Sequence, residues 1–172
     1  NFAAPTLLYL PFYLVAVAMS AAYKARVAVT YSRTTYVGGR AQTQTHTRTV
    51  DVGGSVKLSE TVAVLARRSA HGLSVDRLVE HFFKTSPKAV PLSEVAKDPS
   101  IASAFMAGEL TVEQAKARAV HVAVTKLLDA VDRDAIRRAK SAVGVAGATA
   151  SVVDRAVGYT VGKIGEPSLV YL

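Results

Sequence analysis

At 172 residues and 18.1 kDa the chain is long enough to bury a core as one domain. It has no cysteine, which excludes disulfides, thiolate metal ligands and cysteine nucleophiles together. The net charge of +8 is lopsided, because no Asp or Glu precedes Asp51 while Lys24, Arg26, Arg33, Arg40 and Arg48 do. Such a region can track phosphates or an anionic surface, or it can be a solvated sheet face kept soluble by Arg and Thr. A single Asn, no Trp and two Met among abundant Ala, Val and Arg would suit a thermophile, although genomic base composition produces the same bias.

In chain order, Leu7 to Leu10 reads as a short apolar strand, and Pro11, which cannot donate to a ladder, belongs at an edge or a bulge. From Tyr13 to Val37 apolar residues fall at every second position: Tyr13, Val15, Val17, Met19, Ala21, Tyr23, Ala25, Val27, Val29, Tyr31. That is a strand period, and the even positions turn from Leu14, Ala16 and Ala18 to Lys24, Arg26, Thr30 and Ser32. The strand therefore begins buried on both faces and ends with one face wet. Phe2 to Tyr23 carries no charge, so its length also fits a membrane helix flanked by Lys24 and Arg26. Pro5, Pro11 and the unbroken period of two favour strands.

Gly38-Gly39 signals a hairpin. The returning strand, Ala41 to Val52, sets Thr43, Thr45, Thr47 and Thr49 on one face and Gln44, His46, Arg48 and Val50 on the other. With little to bury, this arm projects with both faces wet or packs its Thr ladder on something outside the chain. Gly53-Gly54 reads as a second turn, and Val56 to Leu65 as a strand or the start of a helix.

The period then changes. Ser74 can cap a helix over Val75 to Lys84, with Leu73 and Leu78 as a staple. Pro87, Pro91 and Pro99 break the chain around short helices near Leu92 to Lys97 and Ile101 to Ala107. Thr111 and Gln114 form a capping box opening a long helix from Val112 to about Val143. Its inner stripe is Ala115, Ala119, Val122, Leu127, Leu128, Val131, Ala135 and Ala139. After Gly144 to Gly147, strand-like sequence returns at Thr149 to Ile164 and at Leu169 to Leu172. The closing Pro167-Ser-Leu-Val-Tyr-Leu172 echoes Pro5-Thr-Leu-Leu-Tyr-Leu10. The echo is chance, or it marks a repeat unit or equivalent strand positions in neighbouring copies.

Leu10-Pro11-Phe12-Tyr13, the long strand and hairpin, Arg48 to Val56, Asp98-Pro99-Ser100, Ala107-Gly108 and the closing Leu169-Val170-Tyr171-Leu172 occur in an order with a known parallel. It resembles an uncharacterised prokaryotic domain that follows a zinc ribbon, in proteins often ending in membrane helices. The resemblance implies no function. The ribbon's cysteines are absent, so no metal or nucleic-acid role is borrowed from it.

No catalytic constellation stands out. Gly158 to Ile164 lacks both the spacing and the Ser or Thr of a phosphate loop, and reads as strand bends or close packing. Gly144-Val-Ala-Gly147 has the outline of a backbone clamp for single-stranded nucleic acid, but a helix end and turn explain it equally. Asp129, Asp132 and Asp134 read as salt-bridge decoration neutralised by Arg133 and Arg137. His81 and His121 lack a partner at metal spacing, and no nucleophile elbow occurs.

The reading that results is an α+β single domain over residues 1–172. It is strand-rich over 1–65, helical over 74–143 and closed by strands over 149–172. A long N-terminal strand and hairpin arm form an antiparallel sheet, packed by one long C-terminal helix and several short ones. Its function is expected to be non-enzymatic: a structural subunit of a filament or surface assembly, self-associating into a homo-oligomer through apolar terminal strands. The candidate residues are Leu7, Leu8, Tyr9 and Leu10 at one end and Leu169, Val170, Tyr171 and Leu172 at the other. A surface or extracellular setting suits such a protein. The first alternative is a module binding nucleic acid or an anionic surface through Lys24, Arg26, Arg33, Arg40 and Arg48, with Tyr23, Tyr31 and Tyr36 as stacking residues. The second is a membrane anchor over residues 2–23. No cofactor, metal or small-molecule substrate is expected.

Overall fold

The computed structural model describes residues 10–68 and 107–171. Four strands and one helix follow in the order β1 (Pro11–Val37), β2 (Arg40–Leu65), α1 (Val112–Val143), β3 (Thr149–Ile164) and β4 (Ser168–Tyr171). The fold is α+β. One antiparallel sheet runs β2-β1-β3, and β4 pairs with β1 as well. The short helices expected over 75–84, 92–97 and 101–107 lie outside the described residues, apart from Ala107, which has no regular structure. Residues 7–9 also lie outside them.

β1 forms where the period of two demanded it. Val15, Val17, Met19, Ala21, Tyr23, Ala25, Val27 and Val29 are all buried, while Ala16, Ser20, Ala22, Lys24 and Arg26 between them are exposed. The two-residue link to β2 has φ of 59° at Gly38 and 77° at Gly39. Two positive values in succession make a type I′ turn, whose twist matches that of the strands it joins. The strand favoured over a membrane helix for residues 2–23 is what the described part forms, since Pro11 to Tyr23 belong to β1, and residues 2–9 lie outside the described residues. Two expectations need correction. Pro11 is at neither an edge nor a bulge but is the first residue of a strand paired on both sides, a position that tolerates its missing N–H. Gly53-Gly54 is no turn, for β2 passes straight through it.

The described chain falls into two compact units. In the first (10–17, 60–68, 107–122 and 163–171), Val15, Val17, Val62, Val64 and Ala66 are buried together with Leu110, Ala115 and Ala119. On the opposite face Phe12 is buried, with Leu10, Ala63, Leu65 and Val170 packed against it. Ala66 ties the end of β2 down. Its N–H donates to the Pro11 carbonyl at 2.8 Å, and its carbonyl accepts from the N–H groups of Glu109 and Leu110. The Glu109 carboxylate takes the Arg67 guanidinium at 2.7 Å and the Arg68 N–H at 3.0 Å. β4 runs antiparallel to β1 with Pro11 opposite Tyr171 and Leu14 opposite Ser168.

In the second unit (18–59 and 123–162), Met19, Ala21, Tyr23, Ala25, Val27 and Val29 share the core with Ala123, Leu127, Val131, Ala135, Ala139 and Ala148. β3 runs beside β1, its Thr149 hydroxyl donating to the Thr30 carbonyl at 3.5 Å. Its half-buried positions are 150 and 152 and then 157 and 161.

α1 buries a residue at every fourth position, from Ala115 through Ala123 to Ala139. This corrects the expected stripe, in which Val122 stood where Ala123 does: Val122 is 38% exposed, and Leu128 is only half-buried. A step of four carries the helix about 40° past one full turn, so the stripe winds as a twisted sheet does, whereas a strict 3.6 period picks out Val122. The helix opens on the expected capping box. The Gln114 N–H donates to Thr111 Oγ1 at 3.2 Å, and the Thr111 N–H to Gln114 Oε1 at 3.1 Å. Thr111→Ala removes the first of these and should cost about 1 kcal/mol of stability, read as a lowered thermal midpoint.

Candidate functional site

The feature that no core requirement explains is the hairpin arm. From Ser32 to Thr49 every residue is exposed. One face is a ladder of hydroxyls, with Thr30 to Thr47 at 3.0 Å, Ser32 to Thr45 at 3.5 Å and Thr34 to Thr43 at 3.0 Å. On the other face Tyr31 stacks on His46, ring centroids 5.6 Å apart. Strand alternation puts Arg33, Arg40 and Arg48 on that same face. Tyr36 near the tip is 77% exposed.

The arm also fixes which backbone groups face outward. Val37 and Arg40 close the type I′ turn as a hydrogen-bonded pair, so the even-numbered residues of β2 direct N–H and C=O toward β1. The odd-numbered residues direct theirs away from it. In the sheet order β2 is terminal, so among the described residues that outer row has no strand beside it. At 26 residues it is a long open edge. It carries no Pro and one Lys, the residues with which edges are commonly blunted.

The five cations considered for anion binding do not come together. Lys24 and Arg26 line a shallow depression of about 530 Å³ with Asp51, Gly53, Asp154 and Arg155. There Arg26 Nε meets Asp51 Oδ1 at 3.3 Å, and Arg155 is paired with Asp132. Carboxylates thus offset the cations of this depression. Arg33, Arg40 and Arg48 form the separate set on the arm.

Beneath the arm lies a polar contact that the sequence reading missed. Tyr23, a stacking candidate by sequence, is 4% exposed and cannot stack on anything from outside. Its hydroxyl donates to Asp134 Oδ2 at 2.6 Å, and Arg138 Nε donates to the same oxygen at 2.7 Å. Arg137 holds the other oxygen. The expected neutralisation of the aspartates is thus redistributed, with Arg137 and Arg138 serving Asp134 and Arg155 serving Asp132. This contact explains the glycine pair in β2. A Cβ on Gly54 would lie 3.0 Å from Arg138 Nε and 3.1 Å from the Tyr23 hydroxyl, and one on Gly53 would lie 3.3 Å from the Tyr23 carbonyl. The glycines serve close approach, not chain reversal. The available signal was a Tyr with a polar handle among aliphatic odd positions.

Of the candidate assembly residues, Leu7, Leu8, Tyr9 and Leu172 lie outside the described residues. Leu10 and Val170 pack against Phe12, and Leu169 to Tyr171 pair with β1 of their own chain, Leu169 remaining 45% exposed. Among the described residues no three His, Cys, Asp or Glu side chains are grouped to hold a metal ion, and no helix is long and apolar enough to cross a membrane. Compared with known proteins, the chain matches no family model, no curated protein and no solved structure.

The Tyr23–Asp134 contact makes stability depend on pH at both extremes. The hydrogen bond from Tyr23, reinforced by Arg138 and Arg137, holds the Asp134 carboxyl down at about 2. A depressed carboxyl stabilises the fold above its unfolded value near 4, and the gain drains away as pH falls toward about 2. Burial, and then the hydrogen bond to Asp134, push the Tyr23 phenol up to about 12. That stabilisation is complete below about pH 10 and is lost as pH rises toward 12. Asp134→Asn should flatten the acid limb of a stability–pH curve by about 1–2 kcal/mol, and Tyr23→Phe should flatten the alkaline limb. Gly54→Val should cost about 1–3 kcal/mol in denaturant unfolding and much less in an Arg138→Ala background, because the crowded group is then gone.

Proposed function

We propose that this chain is a non-enzymatic structural protein that self-assembles by strand pairing along its open sheet edge. The observation that carries the reading is β2, a 26-residue strand at the end of the sheet order with its outer row of N–H and C=O groups turned away from β1. An edge of this kind templates another strand, and natural proteins ordinarily blunt it. The arm supports the same reading, because a ribbon exposed from Ser32 to Thr49 buries almost nothing in its own chain. The terminal strands supply a second contact in this proposal. Two different interfaces, used alternately, would extend a closed pair into a filament.

Electron microscopy and sedimentation of the purified chain at low and high salt test this directly. Thr45→Pro with Thr49→Pro removes two outward N–H groups and the Ser32–Thr45 hydroxyl contact without touching the backbone ladder to β1. Regular particles or filaments should form from the natural chain and be lost in the double variant, with the helical and strand signals of the monomer kept. Dispersed monomers of the natural chain, or assembly indifferent to both prolines, would refute the reading.

A second reading is favoured by one observation: Arg33, Arg40 and Arg48 share an exposed ribbon face with stacked Tyr31 and His46, on a stretch without any carboxylate. A two-stranded ribbon fits the major groove of DNA, and such a face suits a phosphate backbone. If it binds nucleic acid, Arg33→Ala with Arg48→Ala should weaken oligonucleotide binding and lower its salt slope by about 2. Binding that ignores both substitutions would discard this reading.

A further inference from the structure

We infer that β2 pairs antiparallel with β2 of a second copy about a two-fold axis at Gly54, so that Asp51 meets Lys57 of the second copy and Arg48 meets its Glu60. This rests on the self-assembly reading above and fixes its register.

The argument begins with the ladder. In an antiparallel pair an outward-facing residue must face another outward-facing residue, since the two exchange both hydrogen bonds. Only odd-numbered residues of β2 face outward, so odd must meet odd, and half of all registers are forbidden. Charge decides among the rest. β2 carries Arg40, Arg48, Asp51, Lys57 and Glu60. With Gly54 opposite itself, Asp51 faces Lys57 and Arg48 faces Glu60, and the two-fold axis repeats both pairs. Among the other permitted registers only one sets opposite charges together, and it matches a single combination, Arg40 with Glu60. Registers centred on Arg48, Asp51, Lys57 or Glu60 would each set that charge against itself, which is unfavourable directly across strands.

The uncharged positions agree. Val50 falls opposite Leu58 and Val52 opposite Val56, all four half-buried in the single chain. Thr49 falls opposite Ser59, and Thr47 opposite Thr61, on the other face. A two-fold axis normal to the sheet keeps each face on its own side, so apolar positions meet apolar ones and hydroxyls meet hydroxyls. Asp51 remains able to serve, because its bond to Arg26 is a 3.3 Å contact through Oδ1 with both side chains more than half exposed. Gly54 at the axis places no side chain between the two strands where they approach most closely.

Because the natural chain has no cysteine, introduced thiols report register without interference. Thr49→Cys with Ser59→Cys puts facing thiols on the two copies. Within one chain the same residues are about 33 Å apart along the strand and cannot be bridged. Mild oxidation should give a covalent dimer with this pair, and no dimer with Thr47→Cys and Ser59→Cys, which is one step out of register. Asp51→Lys should weaken self-association by about tenfold or more, and adding Lys57→Asp should restore it. Assembly that persists while the 49/59 pair stays uncrosslinked, or Asp51→Lys variants that associate as well as the natural chain, would overturn the register and leave the assembly reading standing. A natural chain that stays monomeric would overturn both.

Discussion

A strand has two edges and two faces, and the structure depends on how β1 disposes of all four. Its odd residues from Val15 to Val29 make the buried face, and as far as Thr30, where β3 begins at Thr149, its edges are paired, β2 on one and β3 and β4 on the other. The cost is displaced outward, because whatever pairs with a central strand becomes an edge itself. β3 and β2 meet that condition differently. β3 is shorter, at 16 residues, and carries Gly158, Gly162 and Lys163, which spoil an edge as a template. β2 keeps a regular row through 26 residues.

The elements that could be read from sequence are those whose signal is local and repeated. The period of two in β1, the glycine turn at 38–39, the Thr ladder of the arm and the Thr111–Gln114 box each rest on residues near one another in the chain. Where the sequence misled, the deciding partner lay far away. Gly53-Gly54 has the composition of a turn, and only Arg138, reaching across from α1, makes it a place of close approach. Tyr23 has the composition of a stacking residue, and only Asp134, 111 residues further on, holds its hydroxyl inside. The choice of Ala123 over Val122 depends on how α1 meets a twisted surface, which no helical wheel contains.

The same division governs the candidate site. The exposure and charge of the arm were legible, since a stretch without acids or strong apolar residues has little to bury. The open edge was not, because which strand ends a sheet is a matter of topology and of residues brought together from opposite ends of the chain. Sequence alone points to the apolar termini, of which Leu169 to Tyr171 also pair with β1 of their own chain. The cations gathered by their nearness in sequence were likewise divided by the strand's alternation, Lys24 and Arg26 to a charge-balanced depression and Arg33, Arg40 and Arg48 to the arm.

An edge left regular is a hazard unless pairing is controlled, and control needs a preference for one register. A uniform Thr and Val strand would slip freely against a copy of itself, since each step of two looks like the last. Placing opposite charges symmetrically about one residue reduces that degeneracy, because only this alignment matches two different charge combinations, Asp51 with Lys57 and Arg48 with Glu60, where the single rival matches Arg40 with Glu60 alone. Gly54 is then asked for twice by independent constraints. Inside the chain it makes room for Arg138 and the Tyr23 hydroxyl, and at the edge it is the centre about which Asp51 and Lys57 are equidistant. The contact that fastens α1 to β2 from within would thereby hold straight the one segment of the edge on which the proposed second copy would align.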